Sequence, residues 1–153
     1  MAGKSVLARL DRAVDDFSRR TRYFREEMTK GRARMFAMQH RLNTRERNSV
    51  LKLKVATNCP DWDTRIGIIR ACSEEVIADH EHGGGRAHWE ILEDLGTRIG
   101  LKRSEIRAAT PIPTTQLAWA AWEGLMANRH WLEGIVATPA PSARTCPATA
   151  PAS

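Results

Sequence analysis

Apolar residues recur at three- and four-residue steps along most of the chain, which is the period of an amphipathic helix. The first pattern begins at Ser5, a candidate N-cap, and ends near Gly31. A second helix is predicted over residues 32–56, with a break near Asn43 and Thr44. Pro60 ends that pattern, because proline lacks an amide donor and disfavours helix in the preceding residue.

Two further helices are predicted on either side of a glycine-rich turn. Asp61 or Asp63 caps the first, and Gly83–Gly85 ends it, because three consecutive glycines make a helix entropically costly. The predicted apolar stripe of this helix consists of Ile66, Ile69, Cys72 and Val76, is continued by His80, and leaves Glu74 and Glu75 largely outside it. The second helix carries His88, Leu92, Leu95 and Ile99 on one face and stops at Gly100.

The remaining pattern predicts a short helix from Ser104, a break at residues 110–113, and a last helix over residues 115–137. Because that last helix is apolar around most of its circumference, it is predicted to be central. Residues 139–153 are rich in Pro, Ala, Ser and Thr without an apolar period, and are predicted to form a disordered tail. With no alternating strand pattern of useful length, the sequence predicts an all-α domain over residues 1–138.

The composition argues against a membrane protein and against a secreted, disulfide-rich protein. The chain has no run of about 18 apolar residues, and its N-terminal segment carries charges where a signal peptide needs an apolar stretch. A cytoplasmic protein without membrane spans is therefore expected. The three cysteines, Cys59, Cys72 and Cys146, are far apart and odd in number, which indicates ordinary thiols rather than a disulfide framework.

The charge is unevenly distributed. Residues 1–54 hold 15 Lys/Arg against 6 Asp/Glu (+9), whereas residues 55–153 hold 9 against 12 (−3). A basic half is compatible with nucleic acid, an acidic substrate or an arginine-rich solvated face. No recognisable nucleic-acid-binding motif accompanies the arginines, so nucleic acid is not the expected partner.

The segment of residues 79–90 carries the strongest candidate chemistry. It contains three of the five histidines, His80, His82 and His88, interleaved with carboxylates that include Asp79 and Glu81. Imidazole and carboxylate groups suit iron, manganese or zinc, and helical bundles build such sites from inward-facing side chains. His80 and His88 are predicted to point inward across the glycine turn. The alternative is a pair of hydrogen-bonded structural histidines beside a solvated helix end, since the segment matches no metal motif of strict spacing.

The order of several short motifs resembles one protein family. The motifs are Met28–Ala33 at a helix end, Asn58-Cys59-Pro60-Asp61 at a helix-joining turn, Asp79-His80-Glu81, His88-Trp89-Glu90 followed by Leu95-Gly96 and Ile99-Gly100-Leu101, and Pro111–Pro113 before the helix that reaches Trp131–Ile135. In this order, over about residues 10–137, they are similar to the TenA/PqqC superfamily. That superfamily holds pyrroloquinoline-quinone synthase, TenA-type thiaminases and the haem-oxygenase-like di-iron oxidases.

The resemblance implies a haem-oxygenase-like helical bundle and an oxygen-dependent oxidation of a small, carboxylate-bearing metabolite. In the cofactorless branch, His80 would match the active-site histidine and Arg41 the arginine that holds substrate carboxylates. In the di-iron branch, Glu81 and His88, seven residues apart, would match paired iron ligands. The expected cofactor is therefore iron in one branch and none in the other.

The chain departs from the family at its end. Members continue for several further helices, whereas here the pattern passes into the Pro/Ala-rich segment after Ala137. A shortened bundle leaves an apolar face uncovered, which predicts a homodimer or another bound partner. The alternative to an oxidase is therefore a non-catalytic helical protein that uses this face for dimerisation or partner binding.

Overall fold

The computed structural model describes residues 2–81 and 83–137, and these residues are predominantly helical. His82 and the predicted tail, residues 139–153, lie outside the described residues. The helices are α1 (Ala2–Arg20), α2 (Arg22–Arg25), α3 (Lys30–Leu42), a π-helical turn (Asn43–Asn48), α4 (Ser49–Asn58), α5 (Trp62–Val76), α6 (His88–Arg98), α7 (Arg103–Ala108), α8 (Pro113–Asn128) and α9 (Trp131–Ala137). The all-α prediction is confirmed, because the described part of the chain contains only one isolated β-bridge and no strand.

The chain divides into two compact units, Met1–Arg32 and Ala33–Ser153. In the first unit, the predicted single helix up to Gly31 is interrupted. Thr21 and Glu26 adopt extended backbone conformations on either side of α2, and the Thr21 hydroxyl donates a hydrogen bond to the Phe17 carbonyl. A threonine that bonds back in this way competes with the helical backbone, so the helix ends there despite the continuing apolar period.

The core of the second unit lies between α4, α5, α8 and α9. Its buried members are Leu51, Val55, Ala56, Cys59, Ile68, Cys72 and Met126, with Trp122, Trp131 and Ile135 packed against them. The predicted helix end before Pro60 and the predicted N-cap of α5 are both confirmed. Helix α4 ends at Asn58, and Asp61 accepts a hydrogen bond from the Thr64 amide at 2.8 Å. Such an N-cap satisfies one of the free amides at the start of the helix.

The predicted break near Asn43 and Thr44 is a π-helical turn that joins α3 to α4 without reversing the chain. A π turn adds a residue to the helical repeat and rotates the side chains that follow it. Its buried side chains are all polar: Asn43, Thr44 and Asn48. Two of them are hydrogen-bonded in the interior: Asn43 accepts from Nε1 of Trp119 at 3.1 Å, and Asn48 donates to Glu75 at 3.1 Å.

The face of α5 differs from the predicted apolar stripe. Its buried residues are Ile68, Cys72 and Glu75, whereas Ile69 and Val76 are exposed. The helix also ends at Val76, so the extension of its stripe to His80 is wrong. Glu75 displaces apolar residues from the interior because it has buried polar partners on neighbouring elements.

The last predicted helix is two helices, α8 and α9, separated by Arg129 and His130. Its predicted central position is confirmed only in part, because Trp122, Trp131 and Ile135 pack against the core whereas other apolar side chains are exposed. Only Met126 of α8 and Gly134 of α9 are buried, while Leu117 is 71% exposed. Separately, none of the described helices is long and apolar enough to cross a lipid bilayer.

Helix α7 packs closely on α6 through a glycine. A Cβ atom at Gly96 would lie 2.5 Å from Cδ1 of Ile106, whose side chain is fully buried. We expect Gly96→Ala to lower the free energy of unfolding by about 1–3 kcal/mol, the usual effect of overpacking a core. Urea denaturation followed by circular dichroism measures this difference.

The matched control is Gly67→Ala in α5, where a Cβ atom would meet nothing within 4 Å. There the lower backbone entropy of alanine should raise stability by about 0.5–1 kcal/mol. Equal effects of the two substitutions would contradict the close α6–α7 contact.

Candidate functional site

The buried carboxylate of Glu75, in α5, contacts polar groups of three other residues. Asn48 Nδ2 and Lys52 Nζ donate to Oε1 of Glu75 at 3.1 and 3.0 Å. Asn48, Lys52 and Glu75 are all buried. Because an unpaired charge is very unfavourable in the interior, the Lys52 ammonium and the Glu75 carboxylate each make the burial of the other possible.

The second oxygen of this carboxylate faces an imidazole. Oε2 of Glu75 lies 3.3 Å from Nδ1 of His88, and Nε2 of His88 lies 2.9 Å from Oδ2 of Asp79. Asp79 is buried, whereas the His88 side chain remains 37% exposed. We call Asn48, Lys52, Glu75, Asp79 and His88 the His88 cluster. It places a solvent-accessible imidazole between two shielded carboxylates.

The triple-glycine turn positions Asp79. The Asp79 amide donates to the Arg86 carbonyl at 3.0 Å, and the Gly85 amide donates to the Asp79 carbonyl at 2.8 Å. Gly84 and Gly85 have φ values of 62° and 78°, a region that favours glycine. At Gly83, a Cβ atom would lie 2.8 Å from the Arg86 carbonyl oxygen. The prediction of a sharp turn is therefore confirmed, and the turn carries a buried site residue.

The start of α6 carries the imidazole of the His88 cluster. His88 is the first residue of α6, and the preceding Ala87 amide is bound by Oε2 of Glu90 at 2.9 Å. Free amides at a helix N-terminus carry partial positive charge, which stabilises nearby anions. Asp79 contacts this terminus through the His88 imidazole.

A second histidine, His40 of α3, interacts electrostatically with the cluster. Its ring stacks on Phe36 with ring centroids 4.9 Å apart. Desolvation by surrounding protein is the main cause of a lowered pKa for His40, although the residue keeps solvent contact. The Glu75 carboxylate opposes this effect and raises the pKa of His40, while electrostatic interaction with His88 lowers it further. Sequence analysis missed His40, since no motif surrounds it.

The structure separates the predicted site residues. His88 joins the cluster, whereas His80 and Glu81 are exposed. The prediction that His80 points inward is wrong, because α5 ends at Val76 and His80 belongs to the turn. The carboxylates that contact His88 are Glu75 and Asp79, while Glu81 donates its backbone amide to Asp79. Sequence analysis placed Glu75 outside the apolar stripe and gave it no role.

Arg41, predicted to hold a substrate carboxylate, lies in the interior with 1% of its surface exposed. Its Nε donates to Oε1 of Glu93 at 2.9 Å, and Glu93 also accepts hydrogen bonds from Arg103 and Arg107. Nη2 of Arg41 is buried and has no hydrogen-bond partner among the described residues. In this conformation Arg41 ties α3 to α6 and is not open to a substrate.

The residues around His88 do not fit an iron centre as they are arranged. Its two carboxylate contacts lie on opposite ring nitrogens, so a single ion beside one nitrogen cannot also take both carboxylates. The Lys52 ammonium occupies the remaining oxygen of Glu75. Within residues 2–81 and 83–137, no group of three or more His, Cys, Asp or Glu residues has a geometry suited to a metal ion.

Comparison with known proteins leaves the family open. The sequence matches no family model. It also has no significant match among curated proteins. The functional argument therefore depends on the residues themselves.

The Arg41–Glu93 pair should make stability depend on acid pH. Burial raises the pKa of Glu93, but hydrogen bonds from Arg107 and Arg41 outweigh this effect and hold the pKa below its ordinary value. The ionised carboxylate therefore stabilises the fold above its unfolded pKa of about 4.3. That contribution is lost as the pH falls through the lower, folded-state pKa.

We expect Glu93→Gln to lower the free energy of unfolding at neutral pH by about 3 kcal/mol, because it leaves a buried arginine without its counter-charge. The difference from the unmodified chain should shrink as the pH falls below about 4.3. Urea denaturation over a pH series measures both effects. Glu46→Gln, at an exposed position, should change stability by less than about 0.5 kcal/mol, and a pH-independent deficit of Glu93→Gln would contradict the assignment.

Proposed function

We propose that this chain is a cytoplasmic, oxygen-dependent oxidase of small organic metabolites, related to the haem-oxygenase-like proteins, with its proton-transfer site at the His88 cluster. The observation that supports the proposal is the partly exposed His88 imidazole held between the buried carboxylates of Glu75 and Asp79. The reaction class is taken from the resemblance of the ordered motifs, over about residues 10–137, to the TenA/PqqC superfamily. The groups that would transfer protons are taken from the geometry around His88.

In the proposed reaction, a reduced substrate SH₂ and dioxygen give S and hydrogen peroxide. Two electrons pass from the substrate to dioxygen, and two protons leave the substrate and end on the peroxide. His88 is the group that takes up and returns a proton, since an imidazole is the side chain best suited to this role near neutral pH. The proton is exchanged at Nδ1, once that nitrogen has left its longer contact of 3.3 Å with Glu75, while Nε2 stays bonded to Asp79. Asp79 orients the ring through its bond to Nε2, and Glu75 lies beside Nδ1. No metal takes part in this proposal.

The substrate is expected to carry a carboxylate. Arg41, the residue first considered for holding it, is buried. The exposed Arg45 offers a different cation: its guanidinium carbon lies 5.2 Å from the centre of the Trp89 ring, and Trp89 follows His88 directly. An arginine held over an aromatic ring keeps its donors free for a planar carboxylate. We therefore assign substrate binding to Arg45 and proton transfer to His88.

The test measures oxygen uptake and peroxide formation with a panel of reduced, carboxylate-bearing quinols and amines. We expect His88→Gln to lower the turnover of any active compound by about 10²–10⁴-fold, the usual contribution of a general acid–base group. Arg45→Ala should raise KM more than it lowers kcat. His130→Gln, at an exposed histidine of the α8–α9 connection, should leave turnover unchanged.

Two further outcomes bear on the assignment. Loss of activity in His80→Gln with full activity in His88→Gln would overturn the assignment of His88. Stoichiometric iron or manganese that disappears in Glu81→Ala and His88→Ala would favour the di-iron branch of the resemblance and contradict metal-free chemistry.

A non-catalytic dimerisation or partner-binding protein is the second candidate. The observation that favours it is the exposure of Leu117, Leu132 and Val136 on α8 and α9, since exposed apolar patches mark interaction sites. Failure of every compound in the panel to support oxygen uptake would favour this function over the oxidase, whereas self-association alone is compatible with both.

A further inference from the structure

The outer surface of α8 and α9 is apolar and open. Leu117 and Val136 are 71% and 69% exposed, and Leu132 is 51% exposed. Between the two helices lies an apolar cavity of about 410 Å³, lined by Leu125, Leu132, Glu133, Val136 and Ala137. We call Leu117, Leu125, Arg129, Leu132, Glu133 and Val136 the α8–α9 face. It combines protruding aliphatic side chains with a cavity that can receive such side chains.

The face also carries one charge of each sign. Arg129 follows the last residue of α8, and Glu133 lies in the first turn of α9 beside the cavity. Both residues are exposed, and neither forms an ion pair within the described part of the chain. Two opposite charges beside an apolar patch form a surface that is complementary to itself when one copy is turned around.

We propose that the α8–α9 face binds the same face of a second copy of this chain around a two-fold axis. In such an isologous contact every residue pair occurs twice, so a surface needs both members of each complementary pair. The proposed axis passes beside residue 131, midway along the chain between Arg129 and Glu133, so that Arg129 of one copy faces Glu133 of the other. A cavity of about 150 Å³ already admits benzene, so 410 Å³ accommodates an aliphatic side chain.

The charges of the α8–α9 face favour a second copy of this chain over a nucleic acid or a membrane. A nucleic acid or an anionic membrane would require an excess of cations, whereas this face balances Arg129 against Glu133. A second apolar groove, lined by Leu53, Ala56, Thr57, Arg65 and Ile69, lacks this reciprocity. Its only charged residue, Arg65, is already bonded to the Cys59 carbonyl. That groove therefore serves as the matched control.

Sedimentation equilibrium of the full chain tests the proposal. We expect a dimer whose dissociation constant rises at least about 30-fold in Leu132→Glu, the effect of losing a central apolar contact. Leu53→Glu, in the control groove and at a similar exposure of 46% against 51%, should leave the constant unchanged. Far-ultraviolet circular dichroism and thermal unfolding of both variants separate a lost interface from a lost fold.

Charge exchange supplies the second measurement. Arg129→Glu and Glu133→Arg should each weaken the dimer by about tenfold, because each places like charges opposite one another twice. The double exchange restores opposite charges and should return the dissociation constant to within about threefold of the original. A monomeric unmodified chain, disruption by Leu53→Glu instead of Leu132→Glu, or no recovery in the double exchange would overturn the proposal. None of these residues belongs to the His88 cluster, so the outcome is independent of the proposed oxidase.

Discussion

The second unit depends on the pairing of charges inside it. Glu93 and Arg41 are almost completely removed from solvent, and Lys52 and Glu75 are nearly so. Each charge taken alone would lose several kcal/mol of hydration free energy on burial. The helices that carry these residues must therefore meet in one arrangement, in which every carboxylate contacts its cation. The Arg41–Glu93 pair joins α3 to α6, and the Lys52–Glu75 pair joins α4 to α5.

Local signals in the sequence predict where helices begin and end. Asp61 caps α5, Gly100 follows α6 with a φ of 88°, and residues 109–112 separate α7 from α8. These features depend on the chemistry of one or two residues, which the sequence states directly. Three helix ends escape these signals: the end of α5 at Val76, the break between α8 and α9 at residues 129–130, and Thr21, where the apolar period continues across a helix end. There the hydroxyl bond to Phe17 outweighs the periodicity.

Buried charges are the part of the fold that periodicity cannot predict. A helical pattern assigns every charged residue to the solvent side, so it places Glu75 outside the stripe of α5 and rotates the buried face toward Ile69 and Val76. Glu75 is buried because Asn48 and Lys52 contact it, 27 and 23 residues earlier in the chain. The same reasoning explains Glu93, whose partner Arg41 lies 52 residues away. Such pairs depend on tertiary contacts, which a single-helix pattern does not contain.

In the candidate site, too, some features follow from local sequence and others from tertiary contacts. His88 was identifiable because histidines and carboxylates crowd one segment, but its contact with Glu75 depends on how α5 and α6 meet. His80 was misplaced because the turn needs more chain than three glycines provide. Asp79 must reach the Arg86 carbonyl and present its own carboxylate to His88, so α5 has to end before it. The hydrogen bonds that close the turn thus exclude His80 from the interior while they bring Asp79 into it. The turn and the site are therefore coupled through one residue, because Asp79 supplies both the bridge to Arg86 and the contact with the imidazole.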